Sequence, residues 1–242
     1  GHFDHASNNV ILRECGLPWE FLLPEPEVKI INFLENFLED IESIGEYEDV
    51  FTTMFPMKGQ LMALRAANAV STKLAKKLLS LSIGQIMGGI ETLADKAKIL
   101  YLKDRVTKRF GNAELMGWET GRFFIIHDAA HTPGHISVYD PENKMLLTGD
   151  VTIEINPAFF YSSVGKLIEV SKSFADMTQA GFVELVADSH RSKTFTSRLY
   201  EKHKISILHE TQLGDEIRGK ENCEAFLRTF YNYYSDLKKG VG

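Results

Sequence analysis

Arg122-Phe-Phe-Ile-Ile126, His131-Thr-Pro-Gly-His135 and Lys144-Met-Leu-Leu-Thr148-Gly149-Asp150 follow one another in a single stretch of this chain. The first and third are short runs rich in aromatic and branched residues, which read as β-strands. Each run is followed closely by a side chain that binds metal ions well, His131 after the first and Asp150 after the second. A third run, Phe182-Val-Glu-Leu-Val-Ala187, is followed in the same way by His190. In α/β sheets the carboxyl ends of strands converge on one edge, where ligands commonly bind, so the three polar residues are expected to meet there. Gly134 and Gly149 allow sharp turns near such a site, and Pro133 stiffens the first loop.

The N-terminus adds two imidazoles and a carboxylate within four residues, in Gly1-His2-Phe3-Asp4-His5. Neutral imidazole together with carboxylate suits zinc, iron or manganese better than calcium or a metal that prefers thiolate. In this order the motifs resemble those of the metallo-β-lactamase superfamily of metal-dependent hydrolases: His-x-His-x-Asp-His, a later His, a Gly-Asp and a final His. Residues 1–5 are similar to the last five positions of the first motif, and its leading His is not among them. His131 resembles the second-motif ligand, Asp150, 19 residues on, the bridging carboxylate, and His190, another 40 residues on, the last imidazole.

The resemblance implies a four-layer αββα sandwich with its first strands absent from this chain. It further implies two divalent ions, zinc ahead of iron or manganese. One is held by His2 and His131, the other by Asp4, His5 and His190, with Asp150 between them. Asp4 and Asp150 take a secondary catalytic role, holding the nucleophile or relaying its proton. His135 follows the ligand by four residues and reads as a structural imidazole ahead of a further ligand. An upstream segment, cleaved or omitted, is expected to supply the leading His.

Outward from this core the chain turns helical. Apolar residues recur at three- and four-residue intervals from Val28 to Ile44 and from Gly59 to Leu81, and a weaker helix is expected from Ile83 to about Arg109. The Met and Leu stripe of the second of these, Leu61, Met62, Leu64, Ala67, Val70, Leu74, Leu78 and Leu81, reads as core. Amphipathic patterns return at Ser163 to Met177 and at Lys220 to Lys238. The organisation expected is one domain over 1–242: the first motif in 1–17, a helical insertion or lid in 18–110, the second-half sheet with its ligands in 111–192, and a helical tail in 193–242.

The 242 residues are 44% hydrophobic and 25% charged, ordinary values for a globular protein, which excludes disordered and collagen-like classes. A net charge of −6 argues against nucleic acid or an anionic membrane as partner, and no apolar run is long enough to cross a bilayer. The two cysteines, Cys15 and Cys223, are too few for a disulfide framework and read as buried thiols in a reducing, cytoplasmic setting.

The function expected is hydrolysis of a small ester, thioester, lactone or phosphodiester by hydroxide activated on a metal pair. Two other readings stay open: an iron-dependent oxidoreductase resembling the persulfide dioxygenases of this fold, and a non-catalytic binding descendant. The partner expected is a small-molecule substrate, and homodimerisation is left open.

Overall fold

The computed structural model describes residues 20–29, 58–78, 96–153, 156, 161–188 and 217–239. The chain divides into two compact units, residues 1–102 with 158–161, and residues 103–157 with 162–242.

In the first unit β1 (Leu22–Pro24) pairs in parallel with β2 (Lys98–Leu100). The Glu25 carboxylate accepts from the Leu102 N–H at 3.0 Å. Helix α1 (Lys58–Val70) stops at Ser71, and residues 72–78 form a second helix, α2. Ser71 explains the break, because its hydroxyl accepts from the Leu74 N–H at 3.4 Å and so caps α2. The continuous helix read from Gly59 to Leu81 is therefore two. The core reading of its apolar stripe is corrected as well: Ala67 and Ala75 are buried, whereas Met62, Val70, Leu74 and Leu78 are exposed. Among the described residues of these two helices, the buried positions are the small side chains Ala67 and Ala75.

The second unit is built on a seven-stranded sheet ordered β3 (Val106–Phe110), β4 (Ala113–Thr120), β5 (Phe123–His127), β6 (Ile136–Asp140), β7 (Met145–Leu147), β8 (Leu185–Ala187) and β9 (Ile217–Arg218). All neighbours are antiparallel except β7 and β8. Strand β3 overturns the helix expected up to Arg109. Its β-branched Val106 and Thr107 favour extended backbone, and Gly111, at φ +63°, opens the two-residue turn that pairs Phe110 with Ala113. Residues 83–95 of that expected helix, and all but the first residues of the one from Val28 to Ile44, lie outside the described residues.

Two helices cover one face of the sheet, α3 (Val164–Gln179) and α4 (Lys220–Lys238). Both follow the amphipathic patterns in the sequence, and Ser163 caps α3 by accepting from the Lys166 N–H. Phe124, Leu146, Leu167, Phe174, Phe226 and Phe230 form the middle of the core, each at most 1% exposed. Cys223 is buried among them, its thiol donating to the Ile217 carbonyl, while Cys15 lies outside the described residues. Among the described residues, no helix is long and apolar enough to cross a membrane.

Candidate metal centre

Strands β5 and β7 both run antiparallel to β6, and β8 runs parallel to β7, so the carboxyl ends of β5, β7 and β8 share one sheet edge. His127 ends β5, opposite Ile136 at the start of β6, and Leu147 of β7 lies between Val138 and Ala187. The convergence expected from the sequence is therefore present for the segments carrying His131 and Asp150. The Thr148 N–H donates to the Ala187 carbonyl at 2.9 Å and ties the Asp150 turn to the end of β8. His2, Asp4, His5 and His190 lie outside the described residues.

The loop from Asp128 to His135 carries both imidazoles of the His-Thr-Pro-Gly-His stretch. Its entry is unusual, since Ala129 adopts φ +51°, a left-handed conformation that side chains with a Cβ seldom take. Asp128 holds the loop in this shape. Its Oδ1 accepts from the Ala130 N–H at 3.1 Å and from His135 Nδ1 at 2.8 Å, and its Oδ2 accepts from Ser137 Oγ at 2.8 Å. With Nδ1 protonated, His135 Nε2 accepts from the Asp150 backbone N–H at 3.0 Å. Gly149, at φ +54°, makes room for this contact, because a Cβ there would lie 2.8 Å from His135 Nε2.

His131 faces the Asp150 side chain. Its Nε2 is 3.2 Å from Asp150 Oδ2 and its Nδ1 is 2.6 Å from Asn156 Oδ1, with all three residues at most 3% exposed. Asn156 Nδ2 donates to the Asp150 carbonyl at 2.6 Å and to Tyr234 Oη of α4 at 3.0 Å. The proton between His131 and Asn156 thus belongs to the imidazole. Its Nε2 and the Asp150 carboxylate oxygen are then two electron-pair donors held side by side in a buried place. A proton on Nε2 or a cation between the two satisfies such a pair, and imidazole beside carboxylate is the donor set of a divalent ion of the zinc, iron or manganese type. Among the described residues, no three His, Cys, Asp or Glu side chains form a group able to hold a metal ion.

His127 has partners that its sequence surroundings do not announce. Nδ1 accepts from the Arg105 guanidinium at 2.8 Å, Nε2 donates to the Pro133 carbonyl at 2.9 Å, and Trp118 packs beside the ring. Burial, opposed by the Pro133 carbonyl and aided by the Arg105 charge, pulls its pKa below the ordinary value. It is a strut under the His131 loop. Asp128, Ser137, Asn156 and Tyr234 carry no motif of their own, and their part in the site comes only from the tertiary contacts.

The family described as the Metallo-beta-lactamase superfamily matches residues 59–199, more than half of the chain. No curated protein matches. Among solved structures, a double mutant of the sec-alkyl sulfatase PisA1 is similar at 12% identity, over 60% of this chain and 19% of its own, with a TM-score of 0.36. A metallo-beta-lactamase family protein from Thermus thermophilus is similar at 16% identity, over 93% of this chain and 68% of its own, with a TM-score of 0.30.

Proposed function

Because this chain belongs to the metallo-beta-lactamase superfamily and has its mixed α/β fold, we propose that it is a metal-dependent hydrolase of a small ester, thioester, lactone or phosphodiester. Hydrolases are among the members of this superfamily, and metal ions are its usual cofactors. The observation that carries the proposal is the buried pairing of His131 Nε2 with Asp150 Oδ2 at 3.2 Å. In this reading His131 and Asp150 hold metal together with His2, Asp4, His5 and His190, as a pair of divalent ions with zinc preferred. Bound ions of this kind polarise a carbonyl or phosphoryl oxygen and lower the pKa of a water to about 7.

The chain's own groups orient and exclude. Asn156 and Asp128 aim the two imidazoles, and the Gly149 turn presents the Asp150 carboxylate at the sheet edge. The burial of His131 and Asp150 keeps bulk water from their inner sides. Where a carboxylate assists proton movement, Asp4 and Asp150 are the groups we assign to it, as a secondary role.

The test is metal content of the intact protein, measured by plasma mass spectrometry after purification without chelator, beside turnover on a panel of the four substrate classes. About two equivalents of zinc or manganese with metal-dependent turnover are expected, and Asp150→Ala should abolish that turnover while the protein stays folded. Undiminished turnover in Asp150→Ala sinks the proposal. Iron with oxygen uptake on a persulfide replaces it by the oxidoreductase reading, and metal that neither co-purifies nor can be restored replaces it by a binding role.

A further inference from the structure

We infer that Asn156, locked in orientation by Tyr234 of the C-terminal helix, holds His131 in its Nδ1–H form and thereby turns the Nε2 lone pair toward Asp150. The chain of contacts starts at Tyr234, whose hydroxyl lies 2.8 Å from the Val151 carbonyl and 2.7 Å from the Ile153 carbonyl. Both neighbours are acceptors, so the single phenolic proton goes to one of them, and an oxygen lone pair is left to receive a donor. Asn156 supplies that donor through Nδ2, 3.0 Å away. The same Nδ2 is 2.6 Å from the Asp150 carbonyl and 3.2 Å from the Val151 carbonyl.

Rotating the amide by half a turn would set Oδ1 against those two carbonyl oxygens, in a place where Asn156 and Tyr234 are both 0% exposed and water cannot relieve the repulsion. Oδ1 is therefore left facing His131 Nδ1 at 2.6 Å, and only an N–H can occupy that gap. In the neutral ring that metal binding requires, Nε2 then carries the lone pair, 3.2 Å from Asp150 Oδ2.

Tyr234 and Asn156 are thus positioning residues. They link a tail helix, distant in sequence, to the tautomer of one imidazole. The consequence for metal affinity rests on the function proposed above; the tautomer itself does not.

The experiment is a long-range ¹H–¹⁵N correlation spectrum of the histidine rings in the intact, chelator-treated protein, with pH raised until the His131 ring is neutral and His131 assigned by its disappearance in His131→Gln. The expected spectrum has His131 neutral and protonated at Nδ1. Asn156→Ala removes the acceptor, so the ring should move to the Nε2–H form, which can donate to Asp150 Oδ2, 3.2 Å away. Zinc affinity from a chelator competition should then fall by about 10–100-fold.

Tyr234→Phe keeps the side chain's volume and removes only the hydroxyl, so it serves if Asn156→Ala does not fold; the Asp150 and Val151 carbonyls still hold the amide, so a minor Nε2–H population beside the Nδ1–H form is expected. A purely structural role would lower melting temperature in these variants and leave the ring nitrogens as they are. The inference is overturned if the neutral wild-type His131 ring is Nε2–H, or if the tautomer is unchanged in the folded variants. The right tautomer in a protein without turnover would leave this inference standing and remove the hydrolase reading instead.

Discussion

The Asp150 backbone N–H donates to His135 Nε2 at 3.0 Å, so the loop after β5 and the turn after β7 are joined through a main-chain donor and an imidazole. The opposite face of the same ring donates to Asp128, which also accepts from Ser137 at the start of β6. Asp150 is therefore placed by its backbone, and its carboxylate is left to meet His131.

The two imidazoles of the His-Thr-Pro-Gly-His stretch should separate on substitution. His131→Ala is expected to release metal from the protein, because Nε2 of that ring faces Asp150 Oδ2. His135→Ala is expected to keep most of the metal and to lose activity modestly, since both ring nitrogens are engaged by Asp128 and the Asp150 amide. Metal content of the two purified variants checks this. Retention in His131→Ala with release from His135→Ala would assign the ligand to the later imidazole.

Gly149→Ala should destabilise the fold by about 1–3 kcal/mol, from the left-handed backbone alone. It carries a second penalty, since the new Cβ would lie 2.8 Å from His135 Nε2 and displace that ring from Asp150. Urea unfolding measures the first effect, and metal content at equal folded fraction measures the second. Unchanged values for both would contradict the role given to this turn.

Phe174→Ala, in the middle of α3 and 0% exposed, should cost about 3–5 kcal/mol through lost burial and the cavity left behind. Because the side chain is part of the core cluster rather than the sheet edge, the folded fraction of the variant should retain wild-type metal content. Denaturant midpoints together with metal content per folded molecule check the expectation.

Acid should weaken the protein partly through His127. Burial lowers its pKa from 6.5 in the folded state, so the unfolded chain binds a proton more readily than the folded one. The stability it contributes is whole above about pH 6.5 and is lost as pH falls from there through the lowered folded value. His127→Gln should flatten the fall in melting temperature across that window relative to wild type. Fluorescence of Trp118, 5.4 Å from the His127 ring between centroids, follows the same event in wild type. An unaltered slope in the variant would show that other groups set the acid limit.

Much of the second unit is legible in the sequence, for local reasons. The runs around Phe124, Leu146 and Val186 are strands because dense apolar and branched residues leave few other conformations that bury them, and α3 and α4 follow their helical spacing. Strand β3 is hidden from such a reading, since its charged Lys108 and Arg109 dilute the pattern and only pairing with β4 supports it. The Met and Leu stripe of the helical block misleads because periodicity reports that a helix has an apolar face, whereas burial depends on what the fold brings to that face. In the first unit the fold brings contacts to Ala67 and Ala75.

The metal-type residues His131 and Asp150 are legible because their chemistry and spacing are carried by the chain itself, and the alternation of strands and loops places both at one sheet edge. Their partners are not. Asn156 and Tyr234 stand 78 positions apart, and nothing local in either distinguishes it from an ordinary turn residue or core aromatic. Which imidazole nitrogen keeps its proton is decided by a hydrogen bond to whatever the fold sets beside it, a property of three-dimensional contact that exists only once the C-terminal helix has packed against the turn after Asp150.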